Sequence, residues 1–242
     1  MTIIYTPAGR AREYCELAVN LYRGCNHNCA YCYAPAATRV KPEEFAKQTP
    51  RVDIIEKLRK EAGKTPGKGQ QVMLSFTSDC YGSADREHKL TRQAIEILKA
   101  AGYRVAILTK AGLNAARDFD LLGEGDHVGA TLTFISNDDS AKWEPGAALP
   151  EDRMNMLRAA KEEGLYTWAS LEPVMDPAQS LEIIRQTAAY TDLYKVGKLN
   201  YHSAASGVDW QKFTKEAIAL LEKHGKEYYI KESLRKYLKQ TA

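Results

Sequence analysis

The sequence predicts a parallel α/β fold. Six runs have the apolar and aromatic content of buried strands, and helical patterns fall between successive runs. Polar residues also gather just past the strand ends, where either main type of parallel α/β fold keeps its site: Ser78, Asp79, Lys110, Ser136, Glu172 and Asn200.

Taken in order, an extended start leads into "ELAVNLYRG" (16–24), read as a buried strand running straight into a cysteine-rich loop. Residues 52–64 form a helix with a glycine stop, and "QVMLSFTS" (71–78) forms the second strand. In the next helix (89–102), Leu90, Ala94, Ile97, Leu98 and Ala101 share one face. Strands follow at 103–110, 127–134, 165–174 and 192–200, with helices at 150–164, 178–190 and 209–225; between Lys110 and His127 there is room only for a short one. The final "EYYIKESLRKYLK" reads as a short strand and a basic helix that closes one edge or a barrel mouth. No Pro/Gly/Ser-rich linker or repeat divides the elements. The expectation is one domain over 1–242, with 1–15 as an N-terminal extension and 226–242 as a closing element. Periodicity does not separate an open doubly wound sheet from a barrel.

The 242 residues, 44% of them hydrophobic, suit an ordinary globular enzyme core. A balance of 34 Lys plus Arg against 31 Asp plus Glu gives +3, too little to argue for a polyanionic partner and no argument against one. No secretory, membrane-spanning or lipidation signal is present, and five cysteines are too few and too clustered for a disulfide scaffold. The reading is cytoplasmic, with no membrane association.

Three of those cysteines, Cys25, Cys29 and Cys32, stand within eight positions at C-x3-C-x2-C spacing. Three thiolates can each take one iron of a cubane cluster and leave the fourth iron open to an exchangeable ligand. Structural zinc would need a fourth ligand, either His27 inside the loop or the remote Cys15 or Cys80. The third reading, three small buried hydrophobes, suits a polar loop poorly.

The run C-x3-C-x-Tyr-C, with "NLYRG" before it and "YA" after it, resembles the signature of radical S-adenosylmethionine (SAM) enzymes, and most of all the branch of spore photoproduct lyase. "TSD" at 77–79, "LTR" at 90–92, "TK" at 109–110, "EPG" at 144–146 and Arg153 extend the resemblance along the chain. It implies a partial (β/α)6 barrel of the TIM type, carrying a 4Fe-4S cluster in the loop after the first strand. The open iron would chelate SAM, and reductive cleavage would yield a 5′-deoxyadenosyl radical that abstracts hydrogen from a substrate. It further implies an electron donor of flavodoxin or ferredoxin type.

Carried over by position, the resemblance makes Tyr31 a backbone contact to adenine. Ser78 and Lys110 would reach the polar parts of SAM, with Lys110 on its carboxylate. Thr133 and Arg153 belong to the SAM site, and Glu172 lies near the adenosine. The plainer alternatives are a solvated strand-end charge for Lys110, an ordinary strand residue for Thr133, and a structural pairing of Glu172 with Arg153.

One departure stands out. Where spore photoproduct lyase has the cysteine that returns hydrogen to its product, this chain has Phe76; four residues on, Cys80 beside Tyr81 offers a thiol and a phenol for a hydrogen-atom relay. Cys15 is expected to be core. Trp143, Trp168, Trp210, Tyr194, Tyr201 and His202 could wall a pocket or stack a base, and "KESLRKYLK" reads as a solvated helix face. No second cysteine cluster for an auxiliary centre exists, nor room for a peptide-recognition domain. The substrate is open, with a nucleobase or nucleic acid placed ahead of a small metabolite. The expected state is a monomer or weak dimer. The alternative function is a non-catalytic Fe-S or zinc protein that binds nucleic acid or a protein partner.

Overall fold

A computed structural model describes residues 2–200 and 206–238. One sheet holds seven strands: β1 Leu17–Val19, β2 Gln71–Leu74, β3 Arg104–Thr109, β4 His127–Thr131, β5 Tyr166–Val174, β6 Leu193–Lys198 and β7 Glu227–Ile230. Every neighbouring pair is parallel, and the order across the sheet is the order along the chain. Parallel neighbours need crossovers, and crossovers are right-handed, so a strand order that never reverses winds the sheet one way around its own inner face. A doubly wound sheet would reverse its order. Strand order therefore selects the barrel-type architecture that hydrophobic periodicity left open. β1 and β7 are the two edges, and no ladder joins them among the described residues.

The crossovers are α1 Ile54–Ala62, α2 Leu90–Ala100, a 3-10 run Gly112–Leu121, α3 Pro150–Glu162, α4 Pro177–Thr187 and α5 Trp210–Lys223; α6 Glu232–Leu238 follows β7. The short helix expected after Lys110 is this 3-10 run. The expected closing strand adds a seventh member to the sheet edge. The N-terminal segment spans the gap between the edges: Tyr5 bridges Ala18 on β1, while Lys195 on β6 donates to the carbonyls of Glu13 (3.2 Å) and Tyr14 (2.7 Å).

The first strand is shorter than the apolar run 16–24 suggests. Asn20 ends it, because its Oδ1 accepts from the Phe76 and Thr77 N–H groups (2.9 and 3.0 Å) and its Nδ2 donates to the Tyr5 hydroxyl (2.7 Å). Those same bonds take the backbone beyond Leu74 out of the sheet ladder. Tyr22–Arg23 then pairs antiparallel with Thr49–Pro50, a ribbon that leads the cysteine loop across the strand ends.

Alternation sorts the strands between two cores. Val72, Leu74, Val105, Ile107, Val128, Ala130, Ala169 and Leu171 face the helices in the large outer core. Ala18, Met73, Ala106 and Trp168 form a smaller inner one, with Cys15 packed beside them as expected. Of the aromatic residues proposed as pocket walls, Trp168 faces inward, while Tyr194 and Trp210 pack in the outer core. Trp143 sits by the cysteine loop, its carbonyl accepting from Ala30 N–H; Tyr201 and His202 lie outside the described residues.

Gly129 on β4 makes room for the Trp168 indole, since a Cβ there would lie 2.3 Å from the ring. Overpacking of this kind costs about 1–3 kcal/mol. Gly129→Ala is therefore expected to lower the denaturation free energy by about that amount in a urea titration.

Candidate active site

The cysteine loop lies over the C-terminal ends of β2, β3 and β4, and backbone and side-chain bonds tie it down along its length. Cys25 N–H donates to the Phe45 carbonyl (2.7 Å), the Ser78 hydroxyl to the Gly24 carbonyl (2.6 Å), and the Tyr33 hydroxyl to the Phe76 carbonyl (3.0 Å). The "EPG" turn pairs with the loop as well: Gly146 N–H donates to the His27 carbonyl at 3.0 Å, and a Cβ on Gly146 would meet the Asn26 carbonyl at 2.1 Å. Only glycine permits that approach.

Two buried carboxylates clamp the loop, one just past β2 and one at the end of the helix Asn137–Trp143 that follows β4. Asp79, just past β2, lies 2.9 Å from His27 Nε2 and accepts from Thr109 Oγ1 (2.7 Å) and from the Tyr81 and Lys110 N–H groups (both 2.8 Å). Burial alone would raise its pKa, but His27 and these donors hold it down to about 2. Glu144 is paired with Arg153 at 2.5 Å, both side chains fully buried, and it also accepts from the Tyr31 hydroxyl. Arg153 completes its donors on the Thr131 and Ala148 carbonyls and on Ser140 Oγ. Lys110 Nζ stands 3.9 Å from Glu144 and 5.7 Å from the centre of the Tyr31 ring.

All three thiols are free and partly exposed. In the bare chain burial pushes Cys25 up to about 12, with Asp79 adding to the effect, and Cys29 up to about 11 despite the pull of Lys110; burial raises Cys32 too. Thiolates form in such a place against bound positive charge. Among the described residues, no three His, Cys, Asp or Glu side chains converge on a point for a single metal ion.

The inner face of the sheet carries a second polar group. The Tyr14 hydroxyl donates to Glu172 Oε2 (2.5 Å) and lies 2.8 Å from Ser170 Oγ. Lys231 Nζ, buried after β7, pairs with the same Glu172 oxygen at 2.7 Å and sits 3.5 Å from the centre of the Tyr14 ring.

Several residues expected to touch SAM have partners within the protein. Thr133 is fully buried with its hydroxyl 3.1 Å from that of Tyr31, and the Ser78 hydroxyl holds the loop and accepts from Gln48 (2.9 Å). Arg153, wholly buried, is a clamp on Glu144, and Glu172 pairs with Lys231, so the plainer alternative of a Glu172–Arg153 pairing does not hold. Tyr31 uses its side chain to anchor the loop. Lys110 keeps its ammonium beside the loop. Cys80 turns the other way: its thiol is fully buried in the outer core and donates to the Leu74 carbonyl at 3.2 Å. Tyr81 follows it to the outside of the barrel. The sequence singled out Asp79 only as a strand-end polar residue, His27 only as an alternative zinc ligand and Glu144 only as part of "EPG"; their joint role as loop clamps was not anticipated.

A clamped three-thiol loop over a singly wound parallel sheet defines a class, and the comparisons name it. The family model for the radical SAM superfamily matches residues 19–190, and the chain belongs to that superfamily. Members are enzymes that use an iron–sulfur cluster together with SAM. An uncharacterized protein of Methanocaldococcus jannaschii is 29% identical over 188 residues, 76% of this chain and 71% of its own length. One from Acidianus two-tailed virus is 30% identical over 183 residues (70% and 59%), and one from Mycobacterium tuberculosis 27% over 172 residues (65% and 49%). The chain thus matches about half the length of the mycobacterial relative and less than two thirds of the viral one.

Among solved structures, a spore photoproduct lyase double mutant with bound AdoMet and dinucleoside spore photoproduct has a TM-score of 0.72 at 14% identity, covering 93% of this chain and 78% of that one. SuiB of Streptococcus suis bound to S-adenosylmethionine has a TM-score of 0.66 at 10% identity, covering 93% and 52%. At these identities the likeness is one of fold. No helix among the described residues is long and apolar enough to cross a membrane.

Removing one partner of a fully buried ion pair leaves the other charge uncompensated, at about 3–5 kcal/mol. Glu144→Gln should therefore destabilise the chain by that order in chemical denaturation. A double-mutant cycle with Arg153→Met should show strong coupling, because the two losses share one cause.

Proposed function

We propose that Cys25, Cys29 and Cys32 each ligate one iron of a 4Fe-4S cluster and that the chain binds SAM at the remaining iron. The observation that carries this reading is three free thiols in one clamped loop, beside the Lys110 ammonium and over the strand ends. When bound, the cluster would supply one-electron reductive cleavage of SAM, and with it a radical able to take hydrogen from a substrate. The chain's own part is to bind, orient and enclose. Asp79 and Glu144 fix the loop, Lys110 is placed for the SAM carboxylate, and the Tyr31 backbone is placed for its adenine. Glu172, set by Tyr14 and Lys231, offers a polar wall on the inner face.

For the substrate we propose a nucleobase or nucleic acid. Its support is the fold shared with spore photoproduct lyase, an analogy at the level of fold. Phe76 in place of the hydrogen-returning cysteine argues for a reaction other than dimer reversal by that route. The rest of the reading is a single radical SAM domain, a flavodoxin- or ferredoxin-type electron donor, a monomer or weak dimer, and a reducing cytoplasm that suits five free thiols.

The first test is direct. Anaerobically reconstituted protein should hold iron and sulfide in about the four-to-four ratio of a cubane, and should form 5′-deoxyadenosine from SAM with dithionite. Cys29→Ala should lose both properties. Zinc without sulfide would establish the non-catalytic alternative.

Lys110→Ala should keep the cluster and bind SAM about tenfold to a hundredfold more weakly, the scale of a lost charge-assisted bond. Calorimetry on the reconstituted variant reads this; unchanged affinity would remove Lys110 from the site.

A further inference from the structure

Glu172 is held by groups that the superfamily match does not include. The family model spans residues 19–190. Tyr14 precedes that span, while Gly197 on β6 and Lys231 after β7 follow it, and all three meet at this carboxylate. A Cβ on Gly197 would lie 2.8 Å from the Glu172 carboxyl carbon and 3.0 Å from Lys231 Cδ, so glycine is what lets those two side chains come together. A shared fold carries shared chemistry, and what is added around it serves what differs between members, above all the substrate.

The bonding within this group leaves acceptors and no free donor. Tyr14 gives its one hydroxyl proton to Glu172 Oε2 (2.5 Å), so Ser170 Oγ, 2.8 Å away, is the donor to the phenol oxygen. Lys231 donates to the same Oε2 (2.7 Å), and its other protons face the Arg10 carbonyl (3.4 Å) and Glu13 (3.8 Å). Lys195 is used on the Glu13 and Tyr14 carbonyls. Both of the carboxylate's donors thus converge on Oε2. Among the described residues Oε1 accepts no hydrogen bond, while 17% of the Glu172 side chain stays exposed.

A carboxylate paired with an ammonium only accepts, so a ligand at this wall must bring an N–H or an O–H. The surroundings favour a flat ring: Phe76 and Trp168 lie 6.1 and 6.0 Å from Tyr14, centre to centre. The wall also borders the cluster loop, because the Phe76 carbonyl holds the hydroxyl of Tyr33, the residue after Cys32. A base with an exocyclic amine can give an N–H to Oε1 and lay its ring against these side chains. Thymine fits poorly, since carbonyl oxygens flank its single N–H and would face the carboxylate.

We propose that Glu172 Oε1 is the specificity-determining acceptor for a substrate base that bears an exocyclic amine, and that Tyr14 and Lys231 are positioning residues for it. This rests on the nucleobase reading above and narrows it to adenine, cytosine or guanine over thymine.

The test is calorimetry on the anaerobically reconstituted full chain with excess SAM present, titrated separately with 2′-deoxyadenosine, 2′-deoxycytidine, 2′-deoxyguanosine and thymidine. At least one amino-bearing nucleoside should bind about tenfold or more tightly than thymidine. Glu172→Gln, which keeps the shape and turns part of the acceptor into a donor, should abolish that preference. Tyr14→Phe should reduce it several-fold in the wild-type background and not at all in Glu172→Gln, because the phenol acts through the carboxylate. A purely structural role would change stability and leave the ratio between nucleosides where it was. Binding of none of the four overturns the nucleobase reading and the proposal with it. Thymidine binding as tightly as the best amino-bearing nucleoside, or a preference that survives Glu172→Gln, overturns the proposal alone.

Discussion

The site depends on one buried ion pair, Glu144 with Arg153. Both side chains are out of water, a position that costs several kcal/mol per charge unless geometry and further hydrogen bonds compensate. Here they do so through groups from separate parts of the chain. Arg153 reaches the end of β4 and the residues before α3, and Glu144 holds Tyr31 of the cysteine loop and stands near Lys110 after β3. Asp79 repeats the device from β2 through His27, Thr109 and the Lys110 amide. A polar loop with little regular structure is thereby held as firmly as the strands beneath it, which is what a metal cluster with a fixed open face requires.

The sheet supplies the place for that clamp. Because its order never reverses, the C-terminal ends of the strands come to one rim, and among the described residues no ladder closes the inner face between β1 and β7. The N-terminal segment covers this seam and sends Tyr14 inward, where it meets Glu172 of β5 and Lys231 after β7. A polar patch thus lies on the inner face beside the large apolar rings of Trp168 and Phe76. Such a mixture suits the binding of an adenosine or a base.

The alternation of strands and helices was legible because each crossover buries an apolar stripe that leaves its period in the sequence. Strand order was not, since periodicity records which face is buried and not which neighbour is paired. The early end of β1 depended on Asn20 bonding a backbone 56 positions away, a contact that no local pattern announces. In the site, the cysteine triplet was plain because its ligands are close in sequence. The protein partners of Thr133, Ser78 and Arg153 were not legible for the opposite reason: which neighbouring loop or side chain a polar strand-end residue meets is decided by tertiary packing. Cys80 shows the same limit, since a thiol two residues after Ser78 is carried by the turn of the chain into the core.

The central claim is that this clamped loop presents a cubane with one iron open to SAM. Electron paramagnetic resonance of the dithionite-reduced, reconstituted protein tests it most directly, because SAM bound at the open iron must change that cluster's spectrum. The account predicts a reduced-cluster signal whose g-values shift when SAM is added, and no such signal when Cys25, Cys29 and Cys32 are replaced together by alanine. A spectrum indifferent to saturating SAM, or a cluster signal that survives loss of the three cysteines, would contradict it.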